Sequence, residues 1–181
     1  MGEIKQIRLC GLGGQGIVLG GTILGHAGIN DGKWVAGSSS YGAEARGSAC
    51  RSEVIISDEP IIFPHVTRPD ILIAMSQEAY DKYIKDMGRD GETVIYDEQM
   101  VCTKEISGLR QLGFPASSVA TKELENKLVA NMVILGIVAE VTRIVSQDAL
   151  LSAIEKNVPE RFRALNLRAA ELGLALGRAQ K

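Results

Sequence analysis

The sequence predicts a three-layer α/β fold with a largely parallel sheet and a helical segment at the C-terminal end. Short apolar segments of strand length alternate with longer helical segments, an order typical of a parallel sheet covered by helices. A glycine-rich turn also follows the first apolar segment and precedes a helix. Hydrophobic residues make up 45% of the 181 residues and aromatic residues only 4%, which predicts an aliphatic core. No linker or repeat is visible, so we expect one domain over residues 1–181.

The apolar pattern predicts each element in turn. The first strand is expected at 4–9 and the first helix at 14–29. Five glycines of that helix each cost about 1 kcal/mol of helicity relative to alanine, which favours close packing against other backbone. They are Gly16, Gly20, Gly21, Gly25 and Gly28. Ser76 is expected to cap a helix. Further strands are expected at 34–37, 52–57, 71–75, 92–96 and 117–120, and further helices at 76–85, 128–141, 147–157 and 159–177.

The most informative segment is 10–17, Cys-Gly-Leu-Gly-Gly-Gln-Gly-Ile. Gly11, Gly13 and Gly16 match GxGxxG, a loop that brings backbone N–H groups up to a phosphate. A dinucleotide site also needs an acidic residue about 20 positions later, at the end of the next strand. That strand runs into serines, and Asp31 precedes it. The loop is therefore suited to close backbone approach, whereas a standard NAD site is disfavoured.

Charge and cysteine content exclude several classes of function. The net charge is −2 with no block of like charges, which argues against nucleic-acid and acidic-membrane partners. No signal sequence is evident, so we expect a cytoplasmic protein. Cys10, Cys50 and Cys102 lack iron–sulfur spacing and are expected to be buried thiols, and no metal site is predicted.

A second motif, Ser-Tyr-Gly-Ala-Glu-Ala-Arg-Gly at 40–47, completes a family pattern. GxGGQGI followed by SYGxExRG resembles the gamma subunit of 2-oxoacid:ferredoxin oxidoreductases, which in single-chain pyruvate:ferredoxin enzymes is a fused domain. The likeness continues through 69–75, 130–136 and 165–169. It therefore spans nearly the whole chain.

The resemblance implies a Rossmann-like gamma subunit, inactive alone, of an enzyme that oxidatively decarboxylates a 2-oxoacid to its acyl-CoA. Among 2-oxoacids, 2-oxoglutarate is favoured over pyruvate. Electrons pass to ferredoxin or flavodoxin, and alpha, beta and ferredoxin-like delta subunits hold thiamine pyrophosphate, Mg²⁺ and [4Fe–4S] clusters. No catalytic residue is assigned to this chain. A loop of Gly11, Gly13, Gly14, Gln15 and Gly16 would face coenzyme A or a partner backbone, and Tyr41, Gly42, Glu44, Arg46 and Gly47 would face the catalytic subunits.

Three alternatives stay open at this point. The almost wholly apolar segment 128–141 is either a core helix or a helix that docks on another chain, in which case the isolated chain self-associates. Its candidate docking stripe is Met132, Leu135 and Ala139. The other two concern function: a stand-alone NAD(P) oxidoreductase, with Arg51 favouring NADP over NAD, or a non-catalytic nucleotide-binding scaffold module.

Overall fold

The computed structural model describes residues 3–40, 49–88 and 91–180, which form a six-stranded sheet with helices on both faces. The strands are β1 (Ile4–Leu12), β2 (Trp34–Ser40), β3 (Ala49–Ser57), β4 (Ile71–Ala74), β5 (Thr93–Asp97) and β6 (Arg110–Phe114). The helices are α1 (Ile17–Asn30), α2 (Gln77–Tyr83), α3 (Ala116–Leu124), α4 (Ala130–Thr142), α5 (Gln147–Asn157) and α6 (Glu160–Ala179). Short 3₁₀ turns follow α2 and precede α4. The predicted α/β class and the helical C-terminal segment are confirmed.

The sheet is mixed in direction, with strand order β2-β3-β1-β4-β5-β6. β1, β4, β5 and β6 pair in parallel, whereas β3 is antiparallel to both of its neighbours, β1 and β2. Only β3 therefore runs in the opposite direction to the other five. The parallel strands end at a common edge, which we call the carboxyl edge.

Side chains of each strand alternate between two faces of unequal coverage. Ile7, Leu9, Ile73 and Ile95 face the larger core, which contains α1, α4, α5 and α6. Leu72, Ala74 and Val94, with Cys10, face a smaller core under α2. This alternation follows from the twofold repeat of an extended chain.

Helix α4 is the centre of the larger core. Every residue from Ala130 to Glu140 is buried. A helix that is apolar all round needs cover on all sides, and here α3, α5, α6 and the sheet supply it. The docking stripe predicted for Met132, Leu135 and Ala139 is wrong, since these side chains are 0%, 0% and 2% exposed.

Helices α4 and α6 approach so closely that glycine is required between them. A Cβ atom on Gly173 would lie 1.9 Å from the Val133 carbonyl oxygen, and one on Gly136 would lie 2.1 Å from that of Ala170. Backbone atoms on both sides leave no side chain that could move away. The glycines of α1 are also closely packed, but against side chains rather than the predicted backbone, because a Cβ on Gly21 would lie 2.0 Å from Ser52 Oγ.

The predicted strand at 117–120 is wrong, since these residues belong to α3. Asp97, at the end of β5, accepts hydrogen bonds from the Ser117 backbone N–H and hydroxyl, which holds the first turn of that helix. The edge strand beside β5 is instead β6. The Ser76 cap is confirmed, its hydroxyl accepting from Ala79 N at 3.3 Å. None of the helices in the described ranges combines the length and apolarity needed to cross a bilayer.

Candidate functional site at the carboxyl edge

The glycine loop connects the end of β1 to the start of α1 at the carboxyl edge. Gly11 still belongs to β1, and a tight turn follows in which Gln15 N–H donates to the Leu12 carbonyl at 3.1 Å. Gly14 has φ +97°, as the third residue of a type II turn requires. Gly16 has φ +71° and caps α1. Both conformations are rare for residues with a side chain, which explains the two glycines.

The side chain of Gln15 fills the inner side of this loop. Its Oε1 accepts from Leu12 N at 2.6 Å, and its Nε2 donates to the carbonyl oxygen of Met75 at 2.8 Å. A Cβ on Gly11 would lie 2.5 Å from Gln15 Oε1. Gln15 was predicted to face a ligand, but its amide is engaged with the protein backbone.

Asn131, which was not among the predicted site residues, holds the other end of the loop. Its Nδ2 donates to the Gly16 carbonyl at 3.2 Å, and its side chain is 4% exposed. A Cβ on Gly16 would lie 2.3 Å from that nitrogen. A single amide in an otherwise apolar helical segment was the sequence signal, since a buried amide needs a hydrogen-bond partner.

The start of α1 is suited to an anion. No side chain caps the helix, and its first turn contains no acidic residue. The first N–H groups of a helix lack partners within it, and the helix dipole places partial positive charge there. Gly14 beside it is exposed, with open space where a Cβ would be. Backbone N–H groups at this edge can therefore approach a phosphate.

The position of β2 argues against a standard dinucleotide site. In that fold the strand after the first helix lies beside β1 and its acidic end meets the ribose. Here β3 lies between β1 and β2, which places β2 about 10 Å from β1. β2 ends in Ser38, Ser39 and Ser40. Asp31 instead accepts from the backbone N–H and hydroxyl of Ser146, both at 2.6 Å, and so joins α1 to the start of α5.

The second predicted site loop, with Tyr41, Gly42, Glu44, Arg46 and Gly47, lies outside the described residues. Its two flanks, Ser40 and Ala49, end and begin strands at the carboxyl edge. Farther from this edge, on the α2 face, Arg8 is buried and pairs with Glu53 at 2.8 Å and with Asp86. Arg51 is half exposed, 3.8 Å from Glu53 and packed on the Tyr83 ring.

The thiols occupy different environments. Burial raises the pKa of Cys10 to about 12, and it also raises the pKa of Cys50. Cys102 is exposed, so the prediction of three buried thiols is wrong at that position. Among the described residues no three His, Cys, Asp or Glu side chains are grouped closely enough to hold a metal ion.

A cavity of about 560 Å³ lies at the opposite edge of the sheet, near the start of β1. Several of its charged side chains already have partners within the chain. Lys33 pairs with Asp58, and Gln147 donates to Glu140 at 2.5 Å. The glycine loop does not line this cavity, and we regard the carboxyl edge as the candidate site.

Comparison with known proteins identifies the family. The family model described as pyruvate ferredoxin/flavodoxin oxidoreductase matches residues 6–176. The chain belongs to this family. It is 45% identical over 172 residues to the 2-oxoglutarate synthase subunit KorC of Methanocaldococcus jannaschii, covering 93% of this chain and 91% of the relative.

Two solved structures share the fold. One is the keto/oxoacid ferredoxin oxidoreductase gamma subunit of Geobacter sulfurreducens, with TM-score 0.84, 38% identity and coverage of 97% of this chain and 99% of that one. The other is the 2-oxoglutarate:ferredoxin oxidoreductase of Magnetococcus marinus with 2-oxoglutarate, coenzyme A and succinyl-CoA bound. It has TM-score 0.86 and 28% identity, and the match covers 98% of this chain but 31% of that longer chain. The predicted resemblance to gamma subunits is confirmed.

Proposed function

We propose that this chain is the gamma subunit of a 2-oxoacid:ferredoxin oxidoreductase that oxidises 2-oxoglutarate to succinyl-CoA. The observation that carries the proposal is the 45% identity, over nearly the full length of both chains, to a 2-oxoglutarate synthase subunit. The match to a gamma subunit in fold, at 99% coverage of that chain, supports the same role.

Within that role, the glycine loop of Gly11, Gly13, Gly14, Gln15 and Gly16 is the part of this chain that faces coenzyme A, through its backbone N–H groups rather than through the Gln15 side chain. Coenzyme A is a polyphosphate ligand, and an uncapped helix start preceded by an open glycine turn suits such a group. Residues 41–47, which come after β2 in the sequence, are proposed to face the catalytic subunits.

The remaining chemistry is proposed to lie on other chains. Alpha, beta and ferredoxin-like delta subunits would hold thiamine pyrophosphate, Mg²⁺ and the [4Fe–4S] clusters, and ferredoxin or flavodoxin would accept the electrons. The complex would be cytoplasmic, and this chain would be inactive alone. Self-association through α4 is no longer proposed, because α4 has no exposed face.

Coexpression of this chain with the proposed alpha, beta and delta subunits tests the proposal. The purified complex is assayed for CoA-dependent reduction of a viologen dye with 2-oxoglutarate, pyruvate, 2-oxoisovalerate and indolepyruvate. We expect the largest kcat/KM with 2-oxoglutarate and no turnover when this chain is omitted. Equal turnover without this chain would contradict the proposed role, and a preference for another 2-oxoacid would correct the substrate.

A further inference from the structure

We infer that Gln15 is a positioning residue that sets the affinity of the complex for coenzyme A without contacting it. The inference rests on the function proposed above. The Gln15 amide binds the backbone of Leu12 and Met75 and so points away from the open side of the glycine loop.

The two hydrogen bonds of Gln15 join the ends of neighbouring parallel strands. Leu12 ends β1, and Met75 follows the end of β4, to which β1 is paired. Met75 N–H in turn donates to the Cys10 carbonyl at 2.9 Å. Gln15 therefore continues the ladder between β1 and β4 by one side-chain link, at the place where the two backbones diverge.

This link fixes the turn that contains Gly14. Gln15 binds Leu12 twice, through its backbone N–H to the carbonyl oxygen and through its side-chain oxygen to the N–H. Both ends of the turn are thereby closed on each other. Gly11 leaves room for this arrangement, because any side chain there would collide with Gln15 Oε1 and Ile17.

Asn131 anchors the loop at its other end. Its bond to Gly16 O holds the residue that caps the start of α1, while Gln15 holds the end of β1 through Leu12. The loop between these anchors is thus tied to β4 on one side and to α4 on the other. A loop ordered before binding loses less conformational entropy when it meets its ligand, which raises affinity.

The test is Gln15→Glu in the assembled complex, because glutamate keeps the shape and loses the donor to Met75 O. We expect KM for coenzyme A to rise about tenfold, the effect of losing about one hydrogen bond to a buried carbonyl. KM for 2-oxoglutarate is expected to stay within about twofold of the wild type, because the loop does not face that substrate.

A pH profile separates positioning from a general structural effect. The glutamate would lie against a carbonyl oxygen, which raises its pKa by disfavouring the charged form. Once protonated it can again donate to Met75 O. We therefore expect the defect of Gln15→Glu to shrink toward about pH 6 relative to the wild type at the same pH, whereas Gln15→Met shows the same defect at every pH.

Gln77→Glu is the matched control. Gln77 makes a similar two-bond link, accepting from Cys102 N at 2.7 Å and donating to Cys102 O at 3.2 Å, and it also donates to Asp81 at 3.2 Å. This variant is expected to leave both KM values unchanged. Two results with an active wild-type complex would overturn this inference while leaving the proposed function intact. In one, Gln15→Glu and Gln15→Met keep the wild-type KM for coenzyme A. In the other, they raise KM for coenzyme A and KM for 2-oxoglutarate by the same factor. A wild-type complex without CoA-dependent 2-oxoacid oxidation would overturn the proposed function together with it.

Discussion

Glycines in two regions of this protein meet opposite demands. Between α4 and α6, Gly136 and Gly173 are required because backbone atoms lie 2.1 Å and 1.9 Å from where a Cβ would stand. In the loop after β1, Gly14 is required by its positive φ, and nothing lies within 4 Å of its Cβ position. The first region needs glycine for space and the second for backbone conformation. A methyl group added in the first region should therefore disrupt the fold, whereas one added in the second should alter only the loop.

The largest effect is expected where charge enters the closed region. Met132→Glu places a carboxyl group in a fully buried position of α4, where the ionised form lacks solvation. We expect a loss of about 4 kcal/mol or more, measured by urea unfolding of the chain. Leu128→Glu is the matched control, because Leu128 is 64% exposed just before α4, and its stability should stay within about 0.5 kcal/mol. A folded Met132→Glu variant released from the complex would instead restore the docking role predicted for this helix.

The next effect comes from a single methyl group between the helices. Gly173→Ala would bring its Cβ against the Val133 carbonyl, so α4 and α6 must separate, at a cost of about 3 kcal/mol. Gly25→Ala on α1 adds the same methyl group 3.5 Å from Val35, an ordinary contact, and gains helix propensity. Its stability is expected to equal or exceed that of the wild type by up to about 1 kcal/mol. Similar unfolding midpoints for Gly173→Ala and Gly25→Ala would show that the space between α4 and α6 does not require glycine.

A smaller effect on stability, with a larger one on function, is expected in the loop. Gly14→Ala retains open space but forces alanine into a positive φ, costing about 1 to 2 kcal/mol. The complex should still assemble. KM for coenzyme A should rise several-fold, because the strained turn relaxes into a conformation that no longer presents the loop to coenzyme A. Urea unfolding and steady-state kinetics on the same preparation check both parts. Loss of assembly would show that Gly14 supports the fold rather than the loop.

The sequence predicted most of the fold because its signals are local. Apolar runs marked β1, β4 and β5, and Ser76 and Pro159 marked helix starts. The direction and place of β3 were not predictable, since pairing between distant strands has no local signal. Residues 117–120 were misassigned because their helix start depends on Asp97, twenty residues away.

The candidate site was predicted in part for the same reason. The glycines at Gly11, Gly14 and Gly16 follow from a local turn, and the structure gives each a steric or conformational requirement. The inward direction of the Gln15 amide depends on Met75, which β4 brings near, and the role of Asn131 depends on α4. Such contacts are set by tertiary packing and leave only a weak signal, such as one polar residue in an apolar helix.

The smallest effect is expected from the thiol at the end of β1, and it appears only at alkaline pH. Burial raises the pKa of Cys10 from 9.0 to about 12, so the folded chain holds this proton more tightly than the unfolded chain. The stabilisation is complete below pH 9 and is lost as the pH rises toward 12, by about 1.4 kcal/mol per pH unit at most. Cys10→Ala should therefore show a shallower decline of unfolding free energy between pH 9 and 10 than the wild type.

Cys102→Ala is the control for this measurement, because the Cys102 thiol is already exposed and unfolding changes its surroundings little. Its decline should match that of the wild type. At pH 8 a thiolate-selective reagent should modify Cys102 in the native chain and leave Cys10 unmodified until urea is added. Equal rates at the two cysteines would mean that α2 opens readily over the smaller core, and that the interior on this face of the sheet is less closed than the layer between α4 and α6.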